Sequence, residues 1–260
     1  MSTLRRLTLT ALPKVPLSRL CGLLTATPLP RSFRIAFFRW FARRYGASLE
    51  EVDGDLGDFR SLQAFFRRKL TADARPVADS ALVWPCDGRI VTAGAFADGR
   101  IPQVKGNDYS LSDLLGNNDF AEQLAGGQQA TIYLAPGDYH RVHSAFAGEV
   151  LDVTALPGTL FPVNPAAVRC IDNLFVRNSR HVFRCRMTNG TPAAIVMVGA
   201  YNVGDTKVTV PSGPIQKGQE VGQFGFGSTV VLVLGPGSGT LLPVEPEQRT
   251  IMGEAASSSS

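Results

Sequence analysis

The sequence is poor in the residues that most often advertise chemistry. It holds four cysteines (Cys21, Cys86, Cys170 and Cys185) and three histidines in 260 residues. No two cysteines stand in CxxC spacing, which excludes a zinc ribbon and a thioredoxin-type redox site. So few cysteines in a chain of this length also argue against a disulfide-stapled secreted scaffold, and a reducing compartment is the default. The G-x-S-x-G elbow is absent, which weighs against an ordinary serine hydrolase. Long apolar runs are missing as well. Residues 221–244 carry no charge, but Gly225, Gly227, Gly235, Pro236 and Gly237 break them, and only Val230–Leu234 is continuously apolar. No stretch therefore qualifies as a transmembrane helix. Residues 1–27 resemble a signal peptide only loosely, because Pro13, Lys14, Pro16 and Arg19 interrupt the apolar run.

Acidic residues are absent from the first 49 positions, where nine basic ones stand, while the chain as a whole carries a net charge of only +4. A basic segment thus precedes a mildly acidic body, and such a segment suits an anionic surface. It is too aromatic for a nucleic-acid arm. Phe33, Phe37, Phe41 and Tyr45 recur every four residues beside Trp40, which predicts an aromatic stripe on a helix, with Arg39 and Arg43 on the other side. Arginines can snorkel at a lipid interface. The segment reads either as a peripheral membrane helix or as a helix packed on its own body or on a second subunit.

From about residue 80 short apolar runs alternate with turns. The pattern predicts strands at Arg89–Ala93, Ala130–Leu134, Glu149–Ala155, Asn173–Val176, His181–Met187, Ala193–Ala200, Lys207–Val210 and Thr229–Leu234. Helices are expected at Ser61–Leu70 and Ser110–Leu115. The fold class is mainly β, with a β-sandwich or barrel-like core and an N-terminal helical membrane-associating segment, α+β overall. Three regions follow: a basic aromatic segment 1–50, a β-rich domain 51–254, and a low-complexity tail 255–260 expected to be disordered.

Three local patterns could carry chemistry. His140 and His143 stand three apart in Y-H-R-V-H-S. On a helical turn they would share a side, whereas on a strand they would face opposite ways. A zinc site would need a third ligand, and none stands nearby. Asp87 lies in P-C-D-G-R, where Asp-Gly reads as a turn, although a carboxylate there can orient a histidine. Gly227-Ser228 enters the most apolar run of the chain. It reads as a β-turn, or as a strained peptide whose serine hydroxyl attacks the preceding carbonyl.

Taken together and in order, nine segments resemble the phosphatidylserine decarboxylase family. They are F-F-R-R-K-L (65–70), P-C-D-G-R-I (85–90), K-G-N-D-Y-S-L (105–111), Y-L-A-P-G-D-Y-H-R-V-H-S (133–144), F-P-V-N (161–164), N-L-F-V-R-N-S-R (173–180), V-G-A-Y-N-V-G (198–204), K-G-Q-E-V-G-Q-F (217–224) and G-S-T (227–229). The sequence departs from the family in having Phe226 where leucine is frequent, Cys86 where alanine is, and a short stretch between Val203 and Lys217. The resemblance implies a proenzyme that cuts itself between Gly227 and Ser228 into a β chain, 1–227, and an α chain, 228–260, which remain together as a heterodimer. Asp87 would hold His143 in the correct tautomer, His143 would deprotonate Ser228, and Ser228 would become a pyruvoyl group that forms a Schiff base with substrate. His140 would return a proton to the product and Arg141 would meet the lipid phosphate. No metal is implied. The substrate would be phosphatidylserine, met by a peripheral enzyme on the anionic cytoplasmic face of the inner membrane. A homodimer of the cleaved pair is also implied, and nucleic acid is not a partner.

Overall fold

The computed structural model describes residues 22–104, 107–200, 206–225 and 228–258. Gly227, Tyr201–Gly204 and most of the signal-peptide-like run lie outside the described residues. Among the described residues a helical stretch at 22–26 precedes helices α1 (Arg31–Tyr45) and α2 (Leu62–Phe66), followed by strands β1 (Gly88–Ala95), β2 (Arg100–Val104) and β3 (Asn107–Ser110). Helices α3 (Leu111–Leu115) and α4 (Asn118–Gln123) lead into β4 (Gln128–Leu134), β5 (Arg141–His143) and β6 (Gly148–Leu156). Then come α5 (Pro165–Val168), α6 (Leu174–Arg177), β7 (Arg180–Met187), β8 (Pro192–Val198), β9 (Thr206–Val208), β10 (Gly213–Ile215), β11 (Glu220–Phe224), β12 (Ser228–Leu234) and β13 (Arg249–Thr250).

An eight-stranded antiparallel sheet in the order β10-β6-β7-β8-β12-β4-β1-β13 forms the framework. The linear order makes it an open sheet, not a closed barrel. A three-stranded sheet, β5-β11-β9, accompanies it. Gly222 of β11 lies so close to Met197 of β8 that a Cβ there would stand 2.6 Å from the Met197 sulfur. The small sheet therefore rests on one face of the large one. Burial of Val142, Val221, Phe224, Val230 and Met197 in a common core fills the space between. The other face is covered by α3 to α6 and the β2–β3 hairpin. There the Gln103 amide donates to the Val168 and Ile171 carbonyls at 2.8 and 2.7 Å and accepts from the Leu174 N–H at 2.8 Å.

Asn173–Val176, expected as a strand, instead enters a single turn of helix at Leu174–Arg177. Asn173 adopts a left-handed conformation (φ 54°) and Gln103 takes the Leu174 N–H, so the segment leaves the extended path despite its Val and Phe. The Ser61–Leu70 helix is shorter than expected. Ser61 caps its start, accepting from the Ala64 N–H, but the Arg67 and Arg68 carbonyls are taken by the Arg141 guanidinium and the helix stops. The tail is a further correction. Ala256 is fully buried, its N–H donates to the Leu82 carbonyl at 2.8 Å, and the Ser257 hydroxyl accepts from the Leu82 N–H at 3.1 Å. Residues 255–257 are thus docked, because small residues fit a seam that long side chains would not.

The expected stripe is not one face of the helix: Phe41 is buried, Phe33 and Tyr45 are exposed, and Phe38, outside the stripe, is the most buried aromatic of α1. Phe38 and Phe41 are buried against Phe65 and Phe66, whereas Phe33 and Trp40 are each 52% exposed. Phe38 stacks on Phe65 with ring centroids 4.8 Å apart. No helix among the described residues is long and apolar enough to cross a membrane.

Candidate active site

Every residue of β12 is buried between β4 and β8. Alternate side chains of a strand share a face, so Ser228 points to the same side as Val230. Val230 stands opposite Met197, the residue against which β11 packs. Ser228 thus faces the small sheet that carries His143. Its hydroxyl is buried and has no hydrogen-bond partner among the described residues. Leaving a hydroxyl so costs about 1–3 kcal/mol.

The segment running from the end of β4 through β5 carries both histidines of the Y-H-R-V-H-S motif. It is fastened at each end to the strands that flank residues 226–227. Leu134 pairs with Ser228, and the His140 carbonyl accepts from the Phe224 N–H at 2.9 Å. Arg68, 3% exposed, donates from Nη2 to the Gly137 and Asp138 carbonyls at 3.0 and 3.1 Å. Gly137 is required here, because a Cβ would lie 2.1 Å from the Tyr45 carbonyl oxygen at the end of α1.

His143 is nearly buried. Its Nδ1 lies 2.8 Å from the Gly218 carbonyl and its Nε2 3.3 Å from the Tyr139 hydroxyl. A carbonyl can only accept, so Nδ1 carries the proton and Nε2 presents its lone pair. Burial lowers the His143 pKa, outweighing the Gly218 hydrogen bond and the nearby Glu220 and Asp87 charges. The imidazole is therefore held as a neutral base. His140 is fully buried with its ring edge against Phe66. Its Nδ1 donates to the Asp138 carbonyl at 2.8 Å, and Nε2 has no partner among the described residues. Burial, with Arg68 nearby, pushes its pKa down to about 3. At rest it is set to accept a proton at Nε2, and it becomes a donor only after taking one.

Asp87 immediately precedes β1 and is 1% exposed. Asp-Gly is not a turn here. Gly88 pairs with Thr250, and a Cβ on it would stand 2.6 Å from the Tyr133 carbonyl. The Asp87 carboxylate accepts from Arg75 Nη2 at 2.6 Å, from Arg75 Nε at 3.0 Å and from the Met252 N–H at 2.9 Å. The structure thus brings Asp87 near His143 as a charge. The orienting hydrogen bond expected between them is made by the Gly218 carbonyl. Arg141, expected to meet a lipid phosphate, turns inward: it is 9% exposed and pairs with Glu220 and the Arg67 and Arg68 carbonyls. An arginine so engaged clamps α2 onto β5.

Sequence reasoning missed Arg75, Tyr139 and Gly218. The last two lie inside quoted motifs, whereas nothing in A-R-P-V marked Arg75. Among the described residues no group of three or more His, Cys, Asp or Glu stands together to hold a metal.

The phosphatidylserine decarboxylase family profile matches residues 62–257, a span that takes in α2, the Asp87 and histidine segments and β12. The chain is 40% identical over 266 aligned positions to a phosphatidylserine decarboxylase proenzyme of Anaeromyxobacter sp. (strain K), covering 94% of each chain. A proenzyme of the same name from Chromobacterium violaceum is 41% identical, with 85% of this chain and 86% of the relative covered. With so much of its length matched, every site segment included, this chain belongs to the phosphatidylserine decarboxylase family.

Proposed function

We propose that the chain cuts its own backbone between Gly227 and Ser228, converts Ser228 into a pyruvoyl group, and decarboxylates phosphatidylserine to phosphatidylethanolamine. The observation that carries the reading is the Ser228 hydroxyl: buried, unpartnered among the described residues, and heading a central strand on the face of the His143 sheet. An unsatisfied hydroxyl in such a place suits a group that the protein consumes.

In the first step His143 Nε2 takes the Ser228 proton and the oxygen attacks the Gly227 carbonyl. The C–N bond breaks, the Ser228 nitrogen takes a proton to become an amine, and an ester links the two residues. The negative charge of Asp87 favours the imidazolium that forms. Removal of the Ser228 α-proton then expels the Gly227 carboxylate and leaves dehydroalanine. Its imine tautomer takes up water, releases ammonia and leaves the pyruvoyl group. Serine fits this route, because threonine would leave an extra methyl and cysteine would pass through a thioester.

When formed, the pyruvoyl carbonyl supplies an electron sink for the pair left behind by departing carbon dioxide. The chain's own residues manage the protons. His140 Nε2 is set to take the proton of the headgroup ammonium and to return it to the α-carbon. A diacyl substrate stays in the bilayer, so the site must meet a membrane. The exposed Phe33, Ile35 and Trp40 of α1, among five arginines, suit peripheral attachment to anionic lipid on the cytoplasmic face.

Intact mass under denaturing conditions tests the proposal. The expected result is two chains, 1–227 and 228–260, the second with a blocked amino terminus, and a Ser228→Ala chain that stays whole. Vesicles of phosphatidylserine should then release carbon dioxide with the cleaved protein alone. A folded wild-type protein that remains one chain would overturn the reading.

A further inference from the structure

We propose that Arg75 is a positioning residue for self-cleavage: its guanidinium fixes Asp87 as the charged group facing His143, while its second partner Glu51 ties that setting to the segment following α1. The inference rests on the Ser228–His143 reading above.

Asp87 is held from two sides, and His143 is on neither. The Arg75 guanidinium grips both carboxylate oxygens, and the Met252 N–H takes a remaining position on Oδ1. Arg75 reaches with its other edge to Glu51, at 3.1 Å from Nη1 and 3.2 Å from Nη2. Its backbone is pinned in turn. A Cβ on Gly253 would stand 2.5 Å from the Pro76 carbonyl, and the Ala78 N–H donates to the Gly253 carbonyl at 2.8 Å. The cluster borders a cavity of about 370 Å³ between the end of α1 and β13, onto which Tyr139, Arg249 and Glu254 also open.

A charge this deeply buried is costly to leave without an opposite partner, and the Arg75 guanidinium is the cation that grips Asp87. Asp138 adds a like charge to its surroundings, while Arg68 opposes it. Tyr139 and His143 face it from the β4–β5 side. Arg75 alone of these grips the carboxylate directly, among the described residues. The negative charge that favours the His143 imidazolium therefore depends on Arg75. The planar fork also sets the carboxylate's angle, which the point charge of a lysine cannot do.

The test follows appearance of fragment 1–227 with time, from pH 5.5 to 9, for full-length chains made by cell-free translation. Arg75→Gln should cleave at least tenfold more slowly at pH 7, with the acid limb of its profile moved up by about one unit, so that the rate recovers in alkali. Arg75→Lys should restore the position of the limb but only part of the rate. Glu51→Gln should move the limb the other way, because Arg75 is then shared with no second carboxylate. Added to Asp87→Asn, Arg75→Gln should cost nothing further, since it acts through Asp87; this comparison holds even where the single variant is less stable. Wild-type rate and profile in Arg75→Gln would overturn the proposal, as would a slower rate with an unmoved limb. Failure of the wild-type chain to cleave would instead overturn the Ser228 reading beneath it.

Discussion

His140 and His143 stand three residues apart, yet each is tuned by a different carbonyl, Asp138 for one and Gly218 for the other. Both are buried as neutral rings, so their linkage to stability has one sign. A histidine with a lowered folded pKa contributes stability that is fully present above its ordinary value near 6.5 and is lost as pH falls toward the folded value. For His140 that window runs from 6.5 down to about 3. Taking the protein from pH 7 to pH 5 should cost on the order of 2 kcal/mol through this residue, at about 1.4 kcal/mol per unit. In urea titrations, His140→Gln should lose about that much less than the wild type over the same interval; an equal loss would refute the assignment. Motif order in the sequence marks Asp87, His140, His143 and Ser228 as candidates. Their partners were not legible there. Gly218 is 75 residues from His143 and Arg75 is 12 from Asp87, and pairings of that span are decided by packing. For the same reason Arg141 could be read as lipid-facing until the fold placed Glu220 beside it.

Strand β12 was plain in the sequence, since a run of Val and Leu without charge has nowhere to go except the middle of a sheet. The four-residue segment at Asn173 was not, because a single turn of helix and a short strand share the same apolar residues, and the Gln103 side chain decides between them. In α1 the spacing of aromatics showed a helix but not which side faces the body. The structure turns Phe38 and Phe41 inward and leaves Phe33 and Trp40 out. That split separates stability from attachment. Phe33→Ser with Trp40→Ser should weaken binding to anionic phospholipid vesicles at least tenfold in a sedimentation assay, since each aromatic inserted into an apolar phase contributes up to about 1.5–3 kcal/mol. The thermal midpoint should stay within about two degrees, because an exposed side chain gives up little packing on truncation. Unchanged vesicle binding would remove α1 from the membrane contact.

At the scale of the molecule, residues that follow β12 close the structure. The tail reaches the strand-like segment ahead of Asp87: Ala255 bridges to Val83, Ser257 to Leu241, and the Ala256 N–H bonds the Leu82 carbonyl. A low-complexity sequence gave no sign of this, because serine and alanine carry no pattern and the fit comes from their small size. Removing residues 255–260 should therefore lower stability by about 3 kcal/mol, near 1 kcal/mol for each of three lost hydrogen bonds, read as a fall in the urea midpoint. A midpoint equal to that of the full chain would mean the tail is dispensable. Strand β12 has neighbours on both sides, β4 and β8, and its continuation is pinned at β13 and again at the tail. With the proposed cut before Ser228, that arrangement changes the molecularity of unfolding. An intact chain melts as one molecule, but a cut one must also part into two, so its melting temperature rises with protein concentration and every dilution taxes the mature form more than its precursor.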